Sequence, residues 1–294
     1  MSESGSCTVQ TAIARLKRAV LRSAGFRAMT NGLWPAGKPV VVREGVLRGT
    51  EMLVPPFSGC RQYALGHYEE VETGIVRKLA EVVLLRTFCD VGAHIGYYSV
   101  LVDRLTNGNC RTYAFEPSPA SFACLAYNLA HSCTGEFRIY CEAVGDAIGT
   151  AEFLGPSGQV ASGLAEYRPS HYGQAPATRL VHVTTLDETI CSSDAPGEVL
   201  VKVDVEGAEA AVLKGAGKLV QSSRPFWLIE CHTPDLKREV AQILTGWGYS
   251  CYELRADDSP HARLFAMHAD IAARNAELAQ WAASSHALEP VSPT

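Results

Sequence analysis

The sequence predicts an α/β fold: a mainly parallel sheet with helices on both faces. Three observations carry this. From residue 86 onward, short apolar runs alternate with longer amphipathic stretches, the rhythm of repeated strand–helix units. The runs are almost continuously apolar, as around Val199–Val201, which marks strands covered on both sides. Polar residues also gather where the runs end, at Asp90, Glu116, Asp204 and Glu230. In open parallel sheets, ligands bind at those carboxyl ends, where the strand order reverses.

Each element has a local reason. Residues 1–30 read as helical, basic and amphipathic between 13 and 21. Residues 31–66 hold Pro35, Gly37, Pro39 and Pro55-Pro56, so short strands and turns are expected. A helix follows over 68–81, acids early and Arg77 and Lys78 late, as the helix dipole prefers. Then come strand 86–91, helix 97–105, strand 111–115 and helix 120–131, the last introduced by Ser118-Pro119 as N-cap and first-turn proline. Strands 136–143 and 150–154 precede a Gly-, Ser-, Pro- and Tyr-rich loop, 155–174. Strand 179–184 leads to a short helix from Leu186. The chain continues with strand 199–205, helix 208–219, strand 226–231, helix 235–247 and strands 249–254 and 263–267, and an Ala-rich helix fraying into the tail. The expected organisation is an N-terminal extension of helix and short strands capping the core (1–65), a core domain (66–270) and a C-terminal helix and tail (271–294).

Composition narrows the function. The net charge of −5 argues against a nucleic-acid partner, whose phosphates need a basic face. No apolar run approaches the ~18–20 residues of a membrane span, and no secretory signal pattern is read at the N-terminus. None of the ten cysteines forms Cys-x-x-Cys, and Cys89, Cys141, Cys231 and Cys251 lie in apolar runs as small buried hydrophobes. A reduced, cytoplasmic protein acting on a small molecule is expected.

The stretch FCDVGAHIGYYS, residues 88–99, holds the strongest ligand signal. Glycines at 92 and 96 lie where a strand gives way to a helix, and Glu116 ends the next strand one strand–helix unit later. A carboxylate there accepts hydrogen bonds from the vicinal hydroxyls of a ribose. NAD and S-adenosyl-L-methionine both satisfy that contact. A dinucleotide site wants Gly-x-Gly-x-x-Gly, whereas this turn lacks the middle glycine and is preceded by Asp90. An acid there repels a pyrophosphate and attracts the ammonium and sulfonium of S-adenosyl-L-methionine.

The segments DVGAHIGYYS, AFEPSPASF, AVGD, TTLDE, VKVDVEGAEAAVLKGA and LIECH resemble the FkbM family of S-adenosylmethionine-dependent methyltransferases. The resemblance covers roughly 66–268. It implies a Rossmann-like class I methyltransferase fold with a seven-stranded sheet, its last strand antiparallel, and O-methylation of a hydroxyl on a sugar or polyketide-type natural product. Two other readings share the crevice: an NAD(P)-dependent oxidoreductase, for which Tyr-x-x-x-Lys is missing, and a non-catalytic nucleoside-binding module.

The expected cofactor-binding set is Asp90, Gly92, His94, Gly96, Glu116, Pro117, Ser118, Ala143 and Asp146. Gly92 and Gly96 allow close backbone approach, Glu116 takes the ribose and Asp146 the adenine amino group. Lys202, Asp204 and His232 are the catalytic candidates. Methyl transfer needs a hydroxyl held ~3 Å from the methyl carbon and relieved of its proton. His232 suits a base by its ordinary pKa near ~6.5, and Asp204 is the alternative. A third route is a divalent metal such as Mg2+ on Asp204, Glu230 and His232, acidifying the hydroxyl directly. Tyr167, His171 and Tyr172, with Glu206, are expected to contact the acceptor, and Tyr68-Glu69, by resemblance, to help close the donor pocket.

Overall fold

A computed structural model describes residues 37–54, 61–154, 163–164, 178–190, 197–255 and 261–291. The helical reading of 1–30 lies outside the described residues, as do Tyr167, His171 and Tyr172. In chain order the N-terminal part forms the hairpin β1 (Pro39–Val41) and β2 (Glu51–Leu53), then α1 (Arg61–Leu65) and α2 (Glu70–Val82). The first strand–helix units are β3 (Leu85–Val91), α3 (Tyr97–Leu105), β4 (Arg111–Phe115), α4 (Pro119–Ser132) and β5 (Phe137–Tyr140). Next come β6 (Ala143–Val144), β7 (Gly149–Leu154), β8 (Gly163–Leu164), β9 (Thr178–Thr184) and α5 (Leu186–Thr189). The chain resumes the main sheet with β10 (Glu198–Val203), α6 (Glu209–Lys214), α7 (Gly217–Ser223), β11 (Phe226–Cys231), α8 (Pro234–Gly246), β12 (Tyr249–Leu254) and β13 (Ala262–His268). It closes with α9 (Ala269–Arg274), α10 (Ala276–Ser284) and β14 (Leu288–Pro290).

The main sheet has the order β14-β12-β13-β11-β10-β3-β4-β5. Strands β5, β4, β3, β10 and β11 are parallel, and β13 runs antiparallel between β11 and β12. This is the Rossmann-like class I methyltransferase arrangement, with β14 added as an eighth strand through Leu254 and Leu288. Strand order reverses between β3 and β10. Alternate residues of the central strands bury on opposite faces. Phe88, Leu200 and Phe226 join the core under α2, α3, α4 and α10. Cys89, Val201 and Trp227 join the core under α6, α7 and α8. Each such large buried side chain is worth about 2 kcal/mol relative to exposure.

The main-sheet strands and helices follow the order read; helix α1 lies in the stretch read as strands and turns, β8 in the expected 155–174 loop and β14 in the expected C-terminal tail, and four further corrections follow. The strand expected over 136–143 stops at Tyr140, and Ala143–Val144 pairs instead with β9 in a separate four-stranded sheet, β6-β9-β7-β8. The helix expected over 208–219 breaks at Gly215–Ala216. A Cβ on Gly215 would sit 2.1 Å from the carbonyl oxygen of Gly145, and Asp187 caps the new start by accepting from the amides of Lys218 and Leu219, each at 2.9 Å. Helix α2 starts at Glu70 because Glu69 is left-handed, φ 43°. Cys141 is exposed rather than buried; Cys89, Cys231 and Cys251 are buried free thiols. No described helix is long and apolar enough to cross a membrane.

Gly92 marks where β3 and β10 leave the sheet almost in contact. It has φ +79°, and a Cβ there would lie 1.9 Å from the Asp204 carbonyl oxygen. Gly92→Ala is therefore expected to cost about 3 kcal/mol or more in urea unfolding, combining overpacking with left-handed strain. Gly74→Ala, on the exposed side of α2 with nothing within 4 Å of the new Cβ, is expected to add about 0.5–1 kcal/mol in the same measurement.

Candidate active site and cofactor cleft

A cleft opens at the carboxyl ends of β3, β4 and β10, at the reversal point. Gly92 and His94 enter it after β3; Glu116, Pro117 and Ser118 after β4; Asp204 and Glu206 after β10. The second sheet supplies an apolar wall, Ala143, Val144, Phe153 and Leu164, and Tyr63 and Tyr68 close the N-terminal side.

Glu116 is 7% exposed. Its Oε2 accepts from the His94 amide at 2.9 Å and its Oε1 from the Ser118 amide at 2.8 Å. Burial nevertheless pushes its carboxyl up to about 7, against the two amides that favour the charge. The turn makes this contact possible because His94 is left-handed, φ 51°, which aims its amide at Glu116. The His94 ring lies with Nδ1 3.3 Å from the Tyr63 hydroxyl, and burial lowers its pKa to about 4, so it is neutral.

Of the expected cofactor set, Gly92, His94, Glu116, Pro117, Ser118 and Ala143 line this cleft and three residues do not. Asp90 shares its sheet face with Lys202, its register partner, and accepts from the Ser99 hydroxyl of α3 at 2.7 Å, so it lies under the helix. Gly96 starts α3 with φ 81°, and a Cβ there would strike Leu125 and Leu129 of α4. Asp146 is exposed beyond β6, and the acid lining the cleft on that side is Glu142.

The catalytic candidates converge beside the cleft. Lys202 Nζ is 3.3 Å from Asp204 Oδ2 and lies over the Tyr98 ring, 4.8 Å from its centroid. Asp204 Oδ1 is 3.7 Å, Glu206 Oε2 3.3 Å and Glu230 Oε1 3.9 Å from His232 Nε2. Simple strand alternation does not bring Glu206 here: β10 ends at Val203, and left-handed Glu206, φ 57°, turns the chain before Gly207, φ 124°. Glu209 Oε1 lies 2.6 Å from His232 Nδ1 and accepts from the Gly207 amide at 3.1 Å.

His232 departs from the ordinary histidine pKa on which its reading as a base rests. Burial opposes its charge, but the Glu209 contact and the Asp204 and Glu206 carboxylates raise its pKa to about 9. It is an imidazolium at neutral pH. Asp204 is held below the ordinary carboxylate value: burial pushes it up, but Lys202 and His232 pull it further down. Glu230, pushed up to about 7 chiefly by burial, is drawn to Arg263 Nε at 3.1 Å. The members of the expected ligand trio, Asp204, Glu230 and His232, fall into two groups that share His232. Among the described residues, donor atoms converge as Asp204, Glu206 and His232, and separately as Glu230, His232 and His261.

Four residues were not singled out from the sequence. Glu209 stands three residues after Glu206 in VDVEGAE, a spacing that one helical turn would have flagged. Arg263, Tyr63 and Glu142 carry no local signal.

The Methyltransferase FkbM domain family matches residues 90–251, more than half of the chain. The hexuronic acid methyltransferase AglP of Haloferax volcanii is 29% identical over 156 residues, covering 53% of this chain and 60% of that protein. The chain therefore spans less than two thirds of that curated relative. Among solved structures, methyltransferase FkbM of Methylobacillus flagellatus is 20% identical with TM-score 0.43, covering 62% of this chain and 43% of that one. An O-methyltransferase of Bacillus cereus in complex with SAH is 12% identical with TM-score 0.39, covering 67% and 80%. The β3 turn, Glu116, the VDVEGAE segment and His232 all fall inside the matched stretch, and the chain belongs to the FkbM methyltransferase domain family.

Proposed function

We propose that this protein binds S-adenosyl-L-methionine in the cleft and directs its methyl group to an oxygen of a sugar-like small molecule. The observation that carries this reading is Glu116, a buried carboxylate at the end of β4 that also lines the cleft. The donor fits what surrounds it. Val91, Phe115, Val144 and Phe153 offer apolar walls for a purine, and Glu116 offers acceptor lone pairs for ribose hydroxyls beyond the two amides it already holds. When bound, the sulfonium donor supplies an electrophilic methyl and departs as a neutral thioether.

The chain's own residues then hold the acceptor and move one proton. Asp204 presents Oδ1 near His232 while Lys202 holds Oδ2. A carboxylate this weakly basic aligns the acceptor hydroxyl first and takes its proton only as the new C–O bond forms. Glu206, also in the cleft, orients neighbouring hydroxyls. The similarity to a hexuronic acid methyltransferase supports a sugar-like acceptor.

Calorimetry with S-adenosylhomocysteine tests the donor assignment; absence of binding, together with binding of NADH, would overturn it. Because Glu116 titrates near 7, its acceptor capacity falls as pH drops through that value. Affinity for S-adenosylhomocysteine is expected to weaken about tenfold from pH 8 to pH 6. Glu116→Gln should weaken binding and flatten that profile. Asp204→Asn is expected to lower methyl transfer to a panel of glycosides and uronosides by ~10²-fold or more, with donor-product affinity nearly unchanged. Wild-type turnover in that variant would place the proton acceptor elsewhere.

A further inference from the structure

We propose that Asp204, Glu206 and His232 form a divalent-metal site at the acceptor end of the cleft, with Glu209 as the residue that orients His232. The proposal rests on the methyl-transfer reading for its role, since with an ion bound Asp204 ligates it and the ion takes over activation of the hydroxyl, but the site itself rests on its own geometry. His232 is 4% exposed, and Glu209, fully buried, engages its Nδ1 at 2.6 Å. That contact leaves Nε2 facing the carboxylates. A histidine fixed through one nitrogen by a carboxylate while the other faces further donors is the arrangement that supports metal-ligating imidazoles.

The donor spacing suits one ion. His232 Nε2 lies 3.3 Å from Glu206 Oε2 and 3.7 Å from Asp204 Oδ1, and all three donor atoms fall within 4.8 Å of one another. Neighbouring ligands of an octahedral ion with ~2.1 Å bonds stand about 3 Å apart, so a small inward movement closes the shell. Asp204 is divided for the purpose: Lys202 holds Oδ2 and Oδ1 turns to the site.

Charge supplies the independent reason. Four carboxylates, Asp204, Glu206, Glu209 and Glu230, come within 4 Å of this imidazole. Lys202 engages Asp204 and Arg263 engages Glu230. Arg263 is also shared with Glu69 and Glu72. Glu209 Oε2 is buried without a hydrogen-bond partner among the described residues. A divalent cation adds positive charge among these carboxylates, with the imidazole neutral as a ligand requires. One nitrogen and two carboxylate oxygens suit Mn2+ or a neighbouring first-row ion better than Ca2+. Asp204 and Glu206 line the cleft, so an ion between them would stand where an acceptor hydroxyl or carboxylate is bound, and would hold and acidify it.

The test uses the full chain without donor, so it stands or falls separately from donor binding. Mn2+ is titrated into the wild-type protein and followed by loss of the free-ion paramagnetic resonance signal, with spin-echo modulation of the bound ion. One ion per chain and modulation from a directly coordinated imidazole nitrogen are expected. His232→Ala should abolish binding, and Glu209→Gln should weaken it by ~10–100-fold. Glu198→Gln, which loses the ion pair to Arg274 at the opposite end of β10, should leave binding unchanged. Failure of wild-type protein to bind Mn2+ below about 1 mM, the weak end of natural divalent sites, would overturn the proposal. So would bound Mn2+ without nitrogen modulation, or full binding by the His232→Ala variant.

Discussion

The buried ammonium of Lys202 is the interaction on which the strand ends depend. It is 7% exposed and lies between the face of Tyr98 and the carboxylate of Asp204, with Asp90 its register partner on β3. Tyr98 in turn donates to Glu69 at 2.6 Å, and Arg263 joins Glu69 to Glu72 and Glu230. One chain of charge therefore ties β10, β3, α3, the start of α2 and β13 together. Burial opposes the charge on Lys202, yet the surrounding carboxylates, Asp204 foremost, hold it protonated. Removing one member of such a network leaves an uncompensated buried charge, which costs about 3–5 kcal/mol.

That network sorts the acids by job. Asp90, facing α3, is consumed by Ser99 and the Lys202 row and has no role in the cleft wall. Glu116, one strand over, accepts from two backbone amides and is pushed up to about 7 by burial. Asp204 sits between a lysine and an imidazolium and stays ionised. Glu116 and Asp204, at the ends of β4 and β10, thus shift in opposite directions, set by their surroundings rather than by residue type.

What was legible in the sequence follows the physics of period and packing. α3, β4, β11 and β12 fall where the apolar rhythm places them, because each packs into one or both of the buried cores. β5 was overextended because the apolar pattern runs on through Cys141 to Ala143 while the hydrogen-bonding partner changes from β4 to β9. β14 is three residues containing Pro290, too short for any periodicity. At the site, acids at strand ends were visible but their faces were not. Asp90 reads as ligand-facing until its register with Lys202 turns it under a helix. The ordinary pKa of histidine was likewise a poor guide to His232, because its character comes from Glu209 and three further acids brought in by the fold.

The turn after β10 concentrates these constraints into six residues. Asp204 is still anchored to the sheet, its amide donating to the Val91 carbonyl at 2.9 Å. Glu206 adopts a left-handed conformation that costs a non-glycine residue on the order of 1–2 kcal/mol. Gly207 then takes φ 124°, which a side chain would resist, so that its amide meets Glu209. An ordinary strand exit would scatter these side chains to alternate faces. This one points two carboxylates into the cleft and uses a third to hold the histidine beside them. Strain of this kind persists only where surrounding contacts over-determine it. Here they are the close approach of Gly92 beneath Asp204 and the Lys202 ion pair, so the turn after β3 and the turn after β10 are braced against each other across the point where the sheet reverses.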